Sequence, residues 1–162
     1  MLIAIISDTH MPRGPRRRPE ACVERLQGAD LILHAGDVMA EDALAEMEAI
    51  GPPLVAVHGN VDSAGLRARL PGERIVEADG ARIAMVHDAG PARGRLERLR
   101  RRFPDVDAVV FGHSHMPLHE HADGFQMFNP GSPTERRRAP VRTMGMAHVE
   151  HAQVVFEFVE LP

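Results

Sequence analysis

The chain has 162 residues, 44% of them hydrophobic, enough for one domain (1–162) with a real core and too few for two ordinary ones. A formal net charge of -4 gives no reason to expect a stable nucleic-acid partner, and no apolar run approaches the roughly 20 residues of a membrane span. Met1 leads straight into a strand-like segment rather than a basic leader, so a cytoplasmic location is expected, and the single cysteine, Cys22, excludes an internal disulfide and a cysteine-rich zinc cage.

In chain order, "MLIAII" is a continuous apolar run that suits a strand covered on both faces. "PRRRPEACVERLQGAD" places Val23 and Leu26 at helical spacing before a stop at Gly28. Strand "LILHA" follows, then a helix over about 41–50 closed by Gly51 and two prolines, then a buried strand "LVAV". This βαβαβ order predicts parallel pairing. A short helical piece over 64–70 precedes "ERIVEADGARIAMVH", two strands joined by the Asp79-Gly80 hairpin signal. "ARGRLERLRRRF" is a helix with Leu96, Leu99 and Phe103 on one face. The strand "DAVVFGHSH", a hairpin across Asp123 and Gly124, the loop "NPGSPTERRRAP" and two final strands complete the chain. The final amphipathic pair offers an edge for self-association, so a homo-oligomer is a candidate state. The pattern predicts mixed α/β structure, with two sheets flanked by helices.

All basic residues are arginine, and ten are histidine among the 162. Five polar clusters, "SDTH", "GDV", "GN", "VHD" and "GHSH", sit where predicted strands end, the place where α/β sheets assemble sites. On an extended backbone residues i and i+2 point to one side, so Asp8 with His10, and His113 with His115, are expected to aim paired ligands into one cavity. Asp8, His10, Asp37, Asn60, His87, His113 and His115 together exceed what one tetrahedral ion needs and suit two ions sharing a carboxylate. Mixed oxygen and nitrogen donors without thiolate favour Mn, Fe, Co, Ni or Zn over Ca.

Asp8-Thr9-His10, Gly36-Asp37, Gly59-Asn60, His87 and Gly112-His113-Ser114-His115, in that order, resemble the calcineurin-like metallophosphoesterases. The short chain, the "GNVD" form of the third motif and the "NPGS" after the last are similar to the YfcE-like phosphodiesterase branch. The resemblance implies a four-layer αββα sandwich. It also implies one ion held by Asp8, His10 and His115, another by Asn60, His87 and His113, and Asp37 bridging both, with manganese the first expectation. It further implies a small phosphodiester substrate, attack by a hydroxide bridging the ions, and a catalytic part for Asp37 and Asn60.

Two departures matter. Where related phosphatases carry a histidine after the asparagine, thought to protonate the leaving group, this chain has Val61. Diesters with good leaving groups are therefore the easier substrates, with His58 and Asp62 as candidate replacements for the acid. The usual glycine after the fifth ligand is Asp88, which is expected to alter the local backbone and to approach the site. His34 is expected to pack or hydrogen-bond, and His119, His121, His148 and His151 to face solvent. One arginine triplet, 16–18 or 136–138, is expected to meet an anionic part of the substrate, with Arg136 the residue to test. The alternatives are a phosphomonoesterase, a dinucleoside-polyphosphate hydrolase, or an interaction scaffold that binds metal without turnover.

Overall fold

The computed structural model describes residues 1–12 and 16–162; Arg13, Gly14 and Pro15 lie outside the described residues. Among those described, no helix is long and apolar enough to cross a membrane.

The continuous apolar run becomes β1 (Leu2–Ile6), followed by α1 (Glu20–Gln27), β2 (Leu31–His34), α2 (Glu41–Glu48) and β3 (Leu54–Ala56). β1 pairs in parallel with β2, and β2 with β3, as the βαβαβ pattern requires. After α3 (Ala64–Arg69) come β4 (Glu73–Ala78) and β5 (Ala81–Val86), then α4 (Arg95–Arg102) and β6 (Ala108–Val110). The hairpin β7 (Leu118–Ala122) and β8 (Phe125–Asn129) precedes β9 (Arg142–Glu150) and β10 (Gln153–Leu161). The strands form two five-stranded mixed sheets, ordered β10-β9-β1-β2-β3 and β4-β5-β6-β8-β7.

Three apolar layers hold the sandwich together. Ile3, Ile5 and Leu33 meet Ile83, Val110 and Phe128 between the sheets. Ile6 and Ile32 pack the outer face of the first sheet against Leu26 of α1, Leu44 of α2 and Leu66 of α3, and Val109 and Phe111 pack the second against Leu99 and Phe103. Each fully buried side chain of this size contributes roughly 1.5–3 kcal/mol relative to exposure. The result is the four-layer αββα arrangement.

Several local expectations are refined. α1 turns Cys22 and Leu26 inward, an i, i+4 pair, while Val23 is half-buried. β3 is an edge strand, so Leu54 and Val55 are half-buried rather than enclosed. His119 does not simply face solvent: it is half-buried, 5.7 Å from the Phe128 ring and 5.5 Å from the Phe156 ring. His121, His148 and His151 are exposed as expected.

Candidate metal centre

The strands β1, β2, β5 and β6 end on the same side, and the loops that follow them carry the polar clusters. Asp8, His10 and His115 are buried and form one group; their ligand atoms approach within 4.8 Å of one another. His115 Nε2 lies 3.4 Å, and His10 Nε2 3.9 Å, from Asp8 Oδ1. A second group gathers Asn60, His87 and His113: Asn60 Oδ1 is 3.0 Å from both His87 Nε2 and His113 Nδ1. Asp37 joins the two, with Oδ2 at 3.3 Å from His10 Nε2 and 3.2 Å from His87 Nε2. Asp8, Asp37 and His87 also fall within ligating range of one another. All seven expected residues therefore converge. The halves differ in one respect: Asp8, His10 and His115 are buried, whereas Asn60 and His113 are exposed.

The route to this convergence differs from the extended-backbone reading. Asp8, His10, Asp37, His113 and His115 all have positive φ, between 46° and 70°. In the first and last motifs two left-handed residues flank an ordinary one, Thr9 or Ser114, and in the last this turn sends His113 toward Asn60 and His115 toward Asp8.

Neighbouring groups fix each ligand. Ser7 Oγ donates to Asp8 Oδ2 at 2.7 Å and the His113 amide donates to the same oxygen at 3.0 Å. His87 donates Nδ1–H to the Ala35 carbonyl at 2.8 Å, and His115 donates Nδ1–H to the Glu135 carbonyl at 2.7 Å. A carbonyl only accepts, so each neutral ring presents its Nε2 lone pair to the hollow. Buried His34 accepts from the Gly36 amide at Nδ1 and therefore donates Nε2–H to Thr9 Oγ1, bracing the first two motifs as a hydrogen-bonding residue and not a ligand. Burial pushes its pKa down to about 4.

The "NPGS" segment is more than a turn. Asn129 Nδ2 donates to the Gly112 carbonyl at 2.9 Å, and Ser132 Oγ to the Asp8 carbonyl at 2.8 Å, tying the last motif to the first. Thr134 Oγ1 adds a bond to the Thr9 carbonyl at 2.7 Å. Gly112 must be glycine, because a Cβ there would overlap Ser7 Oγ and press within 2.7 Å of Asp8 Oδ2.

The chemistry of the donor set fits cations. Carboxylate oxygens, an amide oxygen and imidazole lone pairs face one another, a repulsive arrangement unless positive charge lies between them. Among the described residues, buried His10 Nε2 and His115 Nε2 have no hydrogen-bond partner. Burial disfavours the charged form of His10, yet the carboxylates of Asp37 and Asp8 at 3.3 and 3.9 Å lift its pKa to about 9, so positive charge is favoured at this position. Burial likewise opposes ionisation of Asp37, but His10 and His87 hold its carboxyl far below the usual range.

Two expectations change. Asp62 is not poised as a proton donor: its carboxylate accepts from the amides of Gly59 and Met39 at 2.6 Å and of Asp37 at 3.2 Å. Among the described residues Asp88 makes no hydrogen bond or ion pair with the ligand candidates; its Oδ1 accepts from the Gly90 amide at 2.7 Å and its backbone keeps a negative φ. Arg136 donates to the Pro140 carbonyl within its own loop at 2.8 Å. Arg16 instead approaches Glu135, a residue sequence reasoning passed over because it sits in an arginine-rich loop with no ligand spacing.

Residues 1–152 match the calcineurin-like phosphoesterase superfamily domain. The chain belongs to that family. It is 36% identical over 139 residues to a probable metallophosphoesterase of Methanothermobacter thermautotrophicus, covering 85% of this chain and 80% of that one. A protein of Methanocaldococcus jannaschii named a phosphodiesterase is 28% identical over 144 residues, covering 81% and 83%. Vacuolar protein sorting 29 from Cryptosporidium parvum superposes with a TM-score of 0.86 at 22% identity, covering 99% of this chain and 91% of that one. That likeness shows a shared fold.

Proposed function

We propose that this family member is a dinuclear metal-dependent phosphodiesterase acting on a small phosphodiester, with manganese the first ion to test and Ni, Fe, Co and Zn the others. The observation that carries the reading is Asp37, whose Oδ2 stands between His10 and His87 at 3.3 and 3.2 Å and can serve both halves of the centre. Asp8, His10 and His115 would hold one ion, Asn60, His87 and His113 the other, and Asp37 both. Two such ions, when bound, supply Lewis acidity toward a phosphoryl group and make water nucleophilic at neutral pH.

The chain's own groups do the rest. Asn60 turns Oδ1 toward the two histidines, which leaves its side-chain N–H groups for a phosphate oxygen. The exposed half, Asn60 and His113, gives a substrate its approach, and Arg67 braces that loop by donating to the Asn60 carbonyl. A cavity of about 310 Å³ opens beside it, lined by His58, Gly59, Val86, His87 and Asp88 among others, and is sized for one ester substituent. No side chain with a free acidic proton occupies the Val61 position, which favours diesters with good leaving groups. The relative named a phosphodiesterase supports the same choice.

The test is hydrolysis of bis-p-nitrophenyl phosphate against the corresponding monoester, with metal-stripped protein refilled with Mn2+, Ni2+ or Zn2+ and Asp37→Ala as control. Metal-dependent diester cleavage lost in the variant supports the reading. Binding of two ions without turnover of any ester would make the chain a scaffold, and a preference for the monoester would make it a phosphatase.

A further inference from the structure

Glu135 follows the "NPGS" segment and reaches behind the buried half of the metal centre. Its Oε2 lies 3.4 Å from His10 Nδ1 and 3.9 Å from His115 Nδ1, on the side of each ring opposite the Nε2 atom that faces Asp8. That oxygen is buried and, among the described residues, has no hydrogen-bond partner. The other oxygen, Oε1, is 3.4 Å from Arg16, whose guanidinium also donates to the His10 carbonyl at 3.3 Å. The Glu135 amide in turn donates to Ser132 Oγ at 2.9 Å. The carboxylate is thus anchored at one oxygen and aimed at two imidazoles with the other.

We infer that Glu135 is the positioning residue of the buried subsite: its carboxylate, 3.4 Å from His10 Nδ1, is placed to accept that N–H when an ion engages the ring, which selects the Nδ1–H tautomer and directs the Nε2 lone pair to the ion. His87 and His115 are oriented by backbone carbonyls, which no substitution of side chain removes. Among the described residues His10 has no such carbonyl at Nδ1 and faces Glu135 alone. An anionic acceptor also makes the imidazole a more basic ligand, and loss of such a partner weakens metal binding about 10- to 100-fold. Arg16 sets the strength of the effect, because it shares the carboxylate and pins the same loop. Glu135 cannot itself ligate the ion that His10 Nε2 faces, since it lies at the far edge of the ring.

The inference rests on the two-ion reading, and one experiment separates the two. Mn2+ is titrated calorimetrically into the metal-stripped wild type, Glu135→Gln and Arg16→Gln, and imidazole 15N spectra are recorded on the Zn2+-loaded wild type. Expected are two binding steps in the wild type, one of them weakened about 10- to 100-fold in Glu135→Gln with the other within twofold, a smaller loss of the same step in Arg16→Gln, and a His10 ring protonated at Nδ1. Both steps unchanged in Glu135→Gln would overturn the inference while leaving the metal centre intact, and so would equal weakening of both steps, the mark of a loop that has merely collapsed. A wild type that binds no Mn2+ would overturn the two-ion reading and this inference with it.

Discussion

The Val61 amide donates to Asp37 Oδ1 at 3.0 Å, so the residue that lacks an acid hangs directly over the carboxylate between the two half-sites. Val61 is 43% exposed, so a larger side chain can extend toward solvent. Val61→His should therefore add a proton donor at the leaving group. The expected result is up to about a 10²-fold gain on monoesters and diesters of poorly acidic alcohols, with little change on p-nitrophenyl esters. A plot of rate against leaving-group pKa, flatter in the variant than in the wild type, checks it.

Asp62 accepts three backbone amides, from Asp37, Met39 and Gly59, and so shapes the loops that carry Asp37 and Asn60. Asp62→Ala leaves all three without their acceptor. At about 1–3 kcal/mol for each unsatisfied buried donor, the loss should be roughly 3 kcal/mol or more. Denaturant unfolding of the metal-free variant measures it, and Mn2+ affinity should fall in parallel because the Asp37 carboxylate loses its seat.

His34 gives the stability a definite pH dependence. Its folded pKa of about 4 lies below the 6.5 of an exposed histidine, because burial disfavours the imidazolium. Between those values the unfolded chain binds the proton and the folded one does not, so stability falls as pH drops from about 6.5 to about 4 and the full penalty is present below that. The penalty is on the order of 3 kcal/mol. Above pH 6.5 the group adds no pH dependence. His34→Gln keeps one acceptor and one donor without the titration, and unfolding curves across this range should show the wild-type loss minus this component.

The seven ligand candidates were legible because each follows an apolar run that ends abruptly, and chemistry-bearing residues at strand ends share one rim of a sheet. The helices were equally plain, as Leu96, Leu99 and Phe103 show by packing together on the second sheet. What stayed hidden depends on tertiary closure. Nothing local marks Glu135, 125 positions after His10, as its neighbour. Asp62 carries one spacing whether it donates a proton or, as here, accepts three amides. Periodicity likewise describes His119 as an outward residue, although β7 is short and the Phe128 and Phe156 rings reach its face at the sandwich edge.

Gly112 links the same strand end to Ser7 and Asp8 through close approach alone. Gly112→Ala forces the Ser7 hydroxyl and the Asp8 carboxylate apart, with an overpacking cost of about 1–3 kcal/mol. Mn2+ affinity should drop roughly 10- to 100-fold, since the displaced carboxylate belongs to the buried half. Thermal unfolding with and without Mn2+ separates the two effects: the shift that metal produces in the wild type should shrink in the variant.

Five of the seven ligand candidates hold positive φ without being glycine, and each such residue costs roughly 1–2 kcal/mol relative to an ordinary conformation. The rim thus carries backbone strain at five positions. A library of variants screened for heat resistance alone should accumulate glycine or asparagine at Asp8, His10, Asp37, His113 and His115, whereas one screened for phosphoester cleavage should hold all five. Selection for durability and selection for chemistry pull these same positions in opposite directions.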